Sequence, residues 1–300
     1  MENFHVDENI KKAETLPARF YRSEEVFELL KERVFKRSFQ WFGSINDLLP
    51  HESYVKPLLF VEGYLEEPFF IRKDAKLGLT CFSNVCTHRG NLIFHHEGVS
   101  KRITCGYHGR TWATDGAFKF MPEFKDVEGF PRACDHLKPF ETAQLGPQLF
   151  VGVEPNIDIE NVLSKMNERI GFLPLNEFKF DPSQSKDYLV NCHWALYCDN
   201  YLEGFHIPFV HEDLNAALDY GSYTTELFEN GSLQIGYSSG GEEVFDLPSG
   251  HPDEGKAVAA YYYWLFPNMM FNFYPWGLSV NVVRPISKNK TRVLFRSYVW

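Results

Sequence analysis

Two short runs each pair one cysteine with one histidine: Cys86-Thr87-His88-Arg89-Gly90-Asn91 and, with sixteen residues between His88 and Cys105, Cys105-Gly106-Tyr107-His108-Gly109. The C-x-H and C-x-x-H prongs together offer two thiolates and two imidazoles. That donor set divides evenly over two sulfide-bridged irons, with both thiolates on one iron and both imidazoles on the other, and neutral imidazole in place of thiolate raises the reduction potential. Cys86, His88, Cys105 and His108 are therefore the candidate ligands of a [2Fe-2S] cluster. A structural Cys2His2 zinc site accepts the same elements in a tetrahedron, although zinc sites more often present C-x-x-C pairs. Gly90, Gly106 and Gly109 are expected to permit positive φ and to let backbone N–H groups approach sulfur. Tyr107 and Trp112 are expected to shield the cluster from water.

A second run, Asp199-Asn200-Tyr201-Leu202-Glu203-Gly204-Phe205-His206-Ile207-Pro208-Phe209-Val210-His211, concentrates carboxylates and imidazoles. On a regular helix Asp199, Glu203 and His206 share one face, while His211 lies about 140° away. Pro208 lacks an N–H for the carbonyl of Gly204, so the helix is expected to break there and let His211 swing toward a metal shared with His206. Two histidines and one carboxylate on one face of Fe(II) leave positions open for O2. Asp199 is a candidate for supporting that site, but a polar residue near a helix start also serves as a cap.

Both runs, in this order, resemble those of the Rieske non-haem iron oxygenases, the alpha subunits of ring-hydroxylating oxygenases. Respiratory Rieske proteins carry an extra cysteine in each loop; here those positions are Asn91 and Gly106. The segment Asp199 to His211, with Ser222-Tyr223-Thr224-Thr225 and Trp264-Leu265-Phe266-Pro267-Asn268, looks most like the choline monooxygenase branch. The resemblance implies an α+β chain: an all-β Rieske [2Fe-2S] domain plus a helix-grip (START-like) catalytic domain with an antiparallel sheet. It implies one [2Fe-2S] cluster and one mononuclear Fe(II) per chain, the latter held by His206 and His211. O2 is the implied co-substrate, and NAD(P)H acts indirectly through a reductase or ferredoxin. Glu203 stands where the family places a carboxylate that links an iron histidine to a cluster histidine of the neighbouring subunit, which implies an inter-subunit electron-transfer bridge and a homotrimer. The family's third iron ligand, an Asp far downstream of the histidine pair, would fall beyond Trp300, so that carboxylate is not found in this chain: by the resemblance either the catalytic domain is truncated at its C-terminus or its mononuclear site is incomplete. The implied activity is hydroxylation or oxidative demethylation of a small organic substrate, such as a quaternary ammonium compound. Dihydroxylation of an arene is the alternative, and an electron-transfer protein without oxygenase activity is the second.

Three regions must position these groups. Residues 1–39 are expected to form a helical segment packing on the catalytic domain, because Val26, Leu29, Leu30 and Val34 recur at helical spacing after Ser23. Residues 40–155 show short apolar runs such as Leu58 to Val61 and Leu79 to Phe82, punctuated by Gly, Pro, Asn and Asp, as in a small all-β unit. Residues 156–300 combine a helix near Asn161 to Ile170, a helix from Ala195 to His206, and aromatic strands from Ala259 to Phe273 and Val293 to Trp300. Tyr261, Tyr263, Trp264, Phe271, Phe273, Tyr274 and Trp276 are candidates to hold a quaternary ammonium by cation–π attraction, or else core residues. A formal net charge of -10 without a long basic run argues against nucleic acid, and no apolar stretch long enough to span a membrane is present. Early charges such as Glu2, Asp7 and Lys11 are unlike a signal peptide, so a cytoplasmic location is expected. Cys81, Cys134, Cys192 and Cys198 are expected to be buried small residues. His95, His96, His136, His193 and His251 lack partners at ligand spacing.

Overall fold

The computed structural model describes residues 4–210 and 223–300; His211 and Ser222 therefore lie outside the described residues. Close contacts divide the chain into two units. One is Arg37–Asn156; the other joins the described residues before Arg37 to Ile157–Trp300.

The chain opens with α1 (Ala18–Arg22) and α2 (Glu24–Arg33). Ser23 caps α2 by accepting the Val26 N–H at 3.2 Å, while Glu24 and Glu25 in the first turn and Lys31 and Arg33 in the last match the helix dipole. Val26, Phe27 and Leu30 form its buried stripe.

The Arg37–Asn156 unit is built almost wholly of short antiparallel strands. β1 (Phe39–Ser44) leads through the one-turn α3 (Ile45–Leu48) to β2 (Tyr54–Val61), β3 (Leu65–Asp74), β4 (Gly78–Ser83), β5 (Gly98–Val99), β6 (Ile103–Thr104), β7 (Thr111–Trp112), β8 (Phe118–Phe120), β9 (Glu141–Leu145) and β10 (Gln148–Gly152). They form three sheets ordered β1-β10-β9, β4-β3-β2-β5 and β6-β7-β8. A core of Val55, Phe70, Phe82, Ile93, Ile103, Trp112 and Leu137 lies beneath the two cysteine loops.

The other unit contains α4 (Ile159–Ile170), capped by Asp158 through the Asn161 N–H at 3.1 Å, then β11 (Lys179–Val190), α5 (Trp194–Tyr201) and the short α6 (Ile207–Val210). The strands β12 (Thr224–Phe228), β13 (Gly231–Tyr237), β14 (Val258–Leu265), β15 (Met269–Tyr274), β16 (Gly277–Ser287) and β17 (Lys290–Val299) follow as a meander, and β11 closes the far edge beside β17. This seven-stranded antiparallel sheet carries α5 against β16.

Strand periodicity gives the sheet two unlike faces. On one face the paired residues Leu233, Tyr263 and Phe271 are buried, as are Ile235, Tyr261 and Phe273. On the other, Gln234, Tyr262, Asn272, Ser279 and Ser297 pair in succession across five strands as a polar row. The apolar face is anchored by Asp253, 1% exposed, which takes Arg169, Lys256 at 2.8 Å and the Tyr261 hydroxyl at 3.0 Å. Arg169 also reaches Glu226 of β12 at 2.7 Å. No helix among the described residues is long and apolar enough to cross a membrane.

Candidate active site

Each cysteine–histidine prong is a six-residue loop closed by a strand pair. Val85 bridges Leu92 around the first, and Thr104 pairs with Thr111 around the second. Inside them the same two backbone bonds recur. The Cys86 N–H donates to the Asn91 carbonyl at 2.8 Å and the Gly90 N–H to the Cys86 carbonyl at 3.0 Å; Cys105 and Arg110, and Gly109 and Cys105, repeat these at 2.8 and 3.0 Å. The glycine four residues after each cysteine has φ of +70° (Gly90) or +72° (Gly109), a conformation that a Cβ penalises. Gly106 does not share it, contrary to expectation, because the reversal in its loop is made at Gly109.

The loops sort their donors by depth. Cys86 and Cys105 are 4% and 1% exposed and join the apolar core, whereas His88 and His108 keep contact with solvent, their ring centroids 4.8 Å apart. Cys105 Sγ accepts the Tyr107 N–H at 3.4 Å and Asn91 Nδ2 at 3.6 Å. Cys86 likewise receives the N–H groups of His88 and Arg89. Burial holds the Cys86 thiol above its ordinary value. At Cys105 burial pushes upward too, but N–H donation from Tyr107 and His108, with the Cys86 thiol and Asn91, outweighs it and draws the thiol down. Burial, assisted by the positive field of His108, Arg89 and Arg110, lowers the His88 pKa and keeps its imidazole neutral, as a ligand must be. An inner thiol pair supplied with N–H donors and an outer imidazole pair fit a two-iron, two-sulfide cluster, which needs two protein ligands per iron. Among the described residues no three His, Cys, Asp or Glu side chains converge on the position of a single ion. Trp112, 2% exposed, screens the cysteines from below. Tyr107 corrects the expectation of a second shield: its ring lies 3.8 Å from that of His108, but it is 59% exposed, because the loop tip has no further chain packed over it within this unit.

The second constellation starts on α5. His193 caps this helix, its Nδ1 accepting the Ala195 N–H at 3.2 Å. The helix ends at Tyr201 with Leu202 as C-cap, so the expected continuation to His206 is corrected and the break precedes Pro208. Glu203 supplies the physical reason. One carboxylate oxygen accepts the N–H groups of Phe205 and His206, which caps the start of α6, and the other lies 2.6 Å from His206 Nδ1. Pro208 then falls in the first turn of α6, where a missing N–H costs nothing. With Nδ1 committed to a carboxylate, Nε2 is the nitrogen suited to a metal. Asp199 instead accepts the Tyr21 hydroxyl at 2.7 Å; burial raises its pKa, partly offset by that bond.

Residues 177–299 match the model of the ring-hydroxylating alpha subunit catalytic domain, and residues 50–131 match the Rieske [2Fe-2S] domain. The chain belongs to the Rieske-type ring-hydroxylating oxygenase alpha subunits. This oxygenase subunit is 26% identical over 302 residues to the chloroplastic choline monooxygenase of Arabidopsis thaliana, covering 95% of this chain and 68% of that protein. It is 28% identical over 278 residues to the carnitine monooxygenase oxygenase subunit of Escherichia coli K12, covering 91% and 71%. Against the choline monooxygenase of Beta vulgaris it spans 62% of the relative's length. Its fold superposes on a quaternary ammonium Rieske monooxygenase structure with a TM-score of 0.73 at 23% identity, covering 96% of this chain and 76% of the other. It also superposes on Rhodococcus naphthalene 1,2-dioxygenase with a TM-score of 0.71 at 18% identity, covering 95% and 73%.

In this Rieske oxygenase subunit the aromatic candidates separate by strand parity. Tyr261, Tyr263, Phe271 and Phe273 are at most 1% exposed on the apolar sheet face, where Tyr261 stacks on Phe245, which makes them core. Trp264 and Tyr274 lie on the opposite face; Trp276, 43% exposed in the following hairpin turn, stacks on Tyr274 at 4.9 Å. Sequence reasoning passed over the residues that join this face to α5. Tyr201 donates its hydroxyl to Asn272 Oδ1 at 2.7 Å, Gln234 Nε2 donates to the Tyr201 carbonyl at 2.9 Å, and the Tyr223 hydroxyl donates to Gln234 at 3.0 Å. Tyr262 and Tyr274 pack edge to face at 5.9 Å. The alternation of polar Gln234 and Asn272 with apolar neighbours was the available signal. Cys81 and Cys198 are buried as expected; Cys134 is exposed in the 3-10 turn Ala133–Asp135, and Cys192 is half-buried just past the end of β11. His136 accepts the Phe118 N–H at 2.9 Å, and His251 lies 2.8 Å from the Arg169 carbonyl, so both have structural partners.

Proposed function

We propose that this chain is the oxygenase component of a system that hydroxylates or oxidatively demethylates a small substrate bearing a quaternary ammonium group. The observation that carries the substrate class is the group of tyrosines where α5 meets the polar sheet face: Tyr201, Tyr223, Tyr262 and Tyr274, with Glu242 close enough to act on Tyr262. Burial raises the pKa of Tyr201, Tyr262 and Tyr274, so these phenols stay neutral and offer ring faces to a cation, while Glu242 contributes negative potential. The related choline and carnitine monooxygenases support the same class.

When bound, the [2Fe-2S] cluster supplies single electrons and the mononuclear iron activates O2. Cys86, His88, Cys105 and His108 would hold the cluster; His206, oriented by Glu203, and His211 would hold the iron. Glu203 is suited to relay between His206 and His108 of a neighbouring copy in a closed homotrimer, a head-to-tail arrangement. The solved quaternary ammonium Rieske monooxygenase was described in terms of carnitine oxidation and inter-subunit electron transfer. A reductase or ferredoxin drawing on NAD(P)H would be the donor.

The test is oxygen uptake by the full-length protein, loaded with iron and sulfide and supplied with a reductase, across choline, carnitine, glycine betaine and simple arenes. Uptake with a methylated ammonium compound, at a raised KM in Tyr262→Leu, is the expected result. Uptake with arenes alone would overturn the substrate class. Reduction of the cluster without uptake on any compound would favour an electron carrier.

A further inference from the structure

The two prongs meet at a residue outside the segment matching the Rieske domain model. Asp135 closes the 3-10 turn Ala133–Asp135 on the stretch that returns from β8 to β9, and it is 5% exposed. Its carbonyl accepts two side-chain donors: the Thr87 hydroxyl at 3.0 Å, from between Cys86 and His88, and Trp112 Nε1 at 2.9 Å, from the strand leaving the second loop. One carboxylate oxygen pairs with Arg110, the residue whose carbonyl closes the Cys105 loop, and the other accepts the Arg132 N–H at 2.7 Å. Arg110 is 2% exposed, lies over the rings of Phe118 and Phe130 at 5.1 and 5.6 Å, and has no partner at Nε. A buried cation of this kind depends on its carboxylate.

We propose that Asp135 is a positioning residue that ties both cluster loops together and sets the redox properties of the cluster they hold. This rests on the Rieske reading of the site. A cavity of about 550 Å³ lined by Val85, Cys86, Thr87, Ala133, Cys134 and Leu137 leaves close packing incomplete on one side of the first loop. The Thr87–Asp135 bond lies beside that space and adds a polar tie to the packing of Cys86 in the core. The carboxylate also neutralises Arg110, whose charge already acts on His88. Removing the negative charge leaves a buried positive charge near the cluster, which favours its reduced form.

The experiment is potentiometry and EPR of the reduced cluster in the full-length holoprotein carrying Asp135→Asn or Thr87→Val, with iron and sulfide content as the loading control. Asp135→Asn is expected to raise the midpoint potential and shift the g-values. Thr87→Val, which removes one hydroxyl and leaves the ion pair, is expected to keep wild-type cluster content and still shift the g-values. If Asp135→Asn does not fold, Thr87→Val decides alone. Fully loaded variants whose potentials and g-values superimpose on wild type would overturn the proposal. A wild-type protein that binds no iron–sulfur cluster would remove the Rieske reading itself, a separate failure.

Discussion

Replacing Glu203 by Gln isolates what one negative charge does at the proposed mononuclear site. In the native chain one carboxylate oxygen accepts two backbone N–H groups while the other faces His206 Nδ1 at 2.6 Å, so both oxygens act as acceptors. An amide has a single acceptor oxygen. If that oxygen serves His206, the amide NH2 faces the N–H groups of Phe205 and His206 and the α6 cap is lost. If the amide flips, its NH2 donates to Nδ1, which places the ring proton on Nε2, where a metal needs a lone pair. A hydrogen bond to a charged group is worth about 1.5–3 kcal/mol, which at about 1.4 kcal/mol per decade is roughly a 10- to 150-fold effect. Loss of a metal-orienting partner typically costs about 10- to 100-fold, in the same range. The variant is therefore expected to keep the visible spectrum of the [2Fe-2S] cluster and, under excess Fe(II), both metals, while substrate-dependent oxygen uptake falls by about two orders of magnitude. Glu203→Asp keeps the charge and should lose less. Wild-type turnover by a fully loaded Glu203→Gln variant would refute the reasoning.

Three further outcomes follow from other residues. Tyr262→Leu should raise KM for a quaternary ammonium substrate by roughly 5- to 30-fold with little change in kcat, since a desolvated cation–π contact is worth about 1–2 kcal/mol; steady-state kinetics check this. Asp253→Asn should destabilise the unit bearing the seven-stranded sheet by about 3–5 kcal/mol, because Arg169 and Lys256 lose their buried counter-charge, and calorimetry should show an earlier transition for that unit alone. His193 has its pKa lowered to about 4 by burial, so unfolded chains take up a proton near pH 6.5 that the folded chain refuses. Its stabilisation is full above that pH and declines as pH falls toward 4, by about 3 kcal/mol in all. Denaturation of wild type and His193→Gln between pH 7.5 and about 4.5 should converge as acid is added, and parallel curves would contradict the assignment.

The candidate ligand sets were legible in the order of residues because they are local. Two cysteines, two histidines and a glycine four positions after each cysteine lie within six-residue loops, and such a loop has few ways to place a thiol inward and an imidazole outward. The same locality marked Glu203, three residues before His206. Helix length was less legible: Pro208 pointed to a break, but the helix stops at Tyr201 because a side-chain carboxylate competes for the backbone donors of the next turn, and that competition is not visible in helical spacing.

What only the tertiary structure decided is which aromatic residues lie on the sheet face that meets α5. Tyr261, Tyr262 and Tyr263 are adjacent and chemically identical, yet strand parity turns Tyr262 toward α5 and its neighbours into the core, and a register shift of one residue would have reversed the choice. Asp135 was likewise silent in sequence, since its partners Thr87, Arg110 and Trp112 are distant along the chain and meet only when two loops fold onto a third. Ligand identity is a property of short segments, whereas the walls of a pocket and the charges that tune a cluster come from long-range pairing, which fixes side-chain direction only when the sheet has formed.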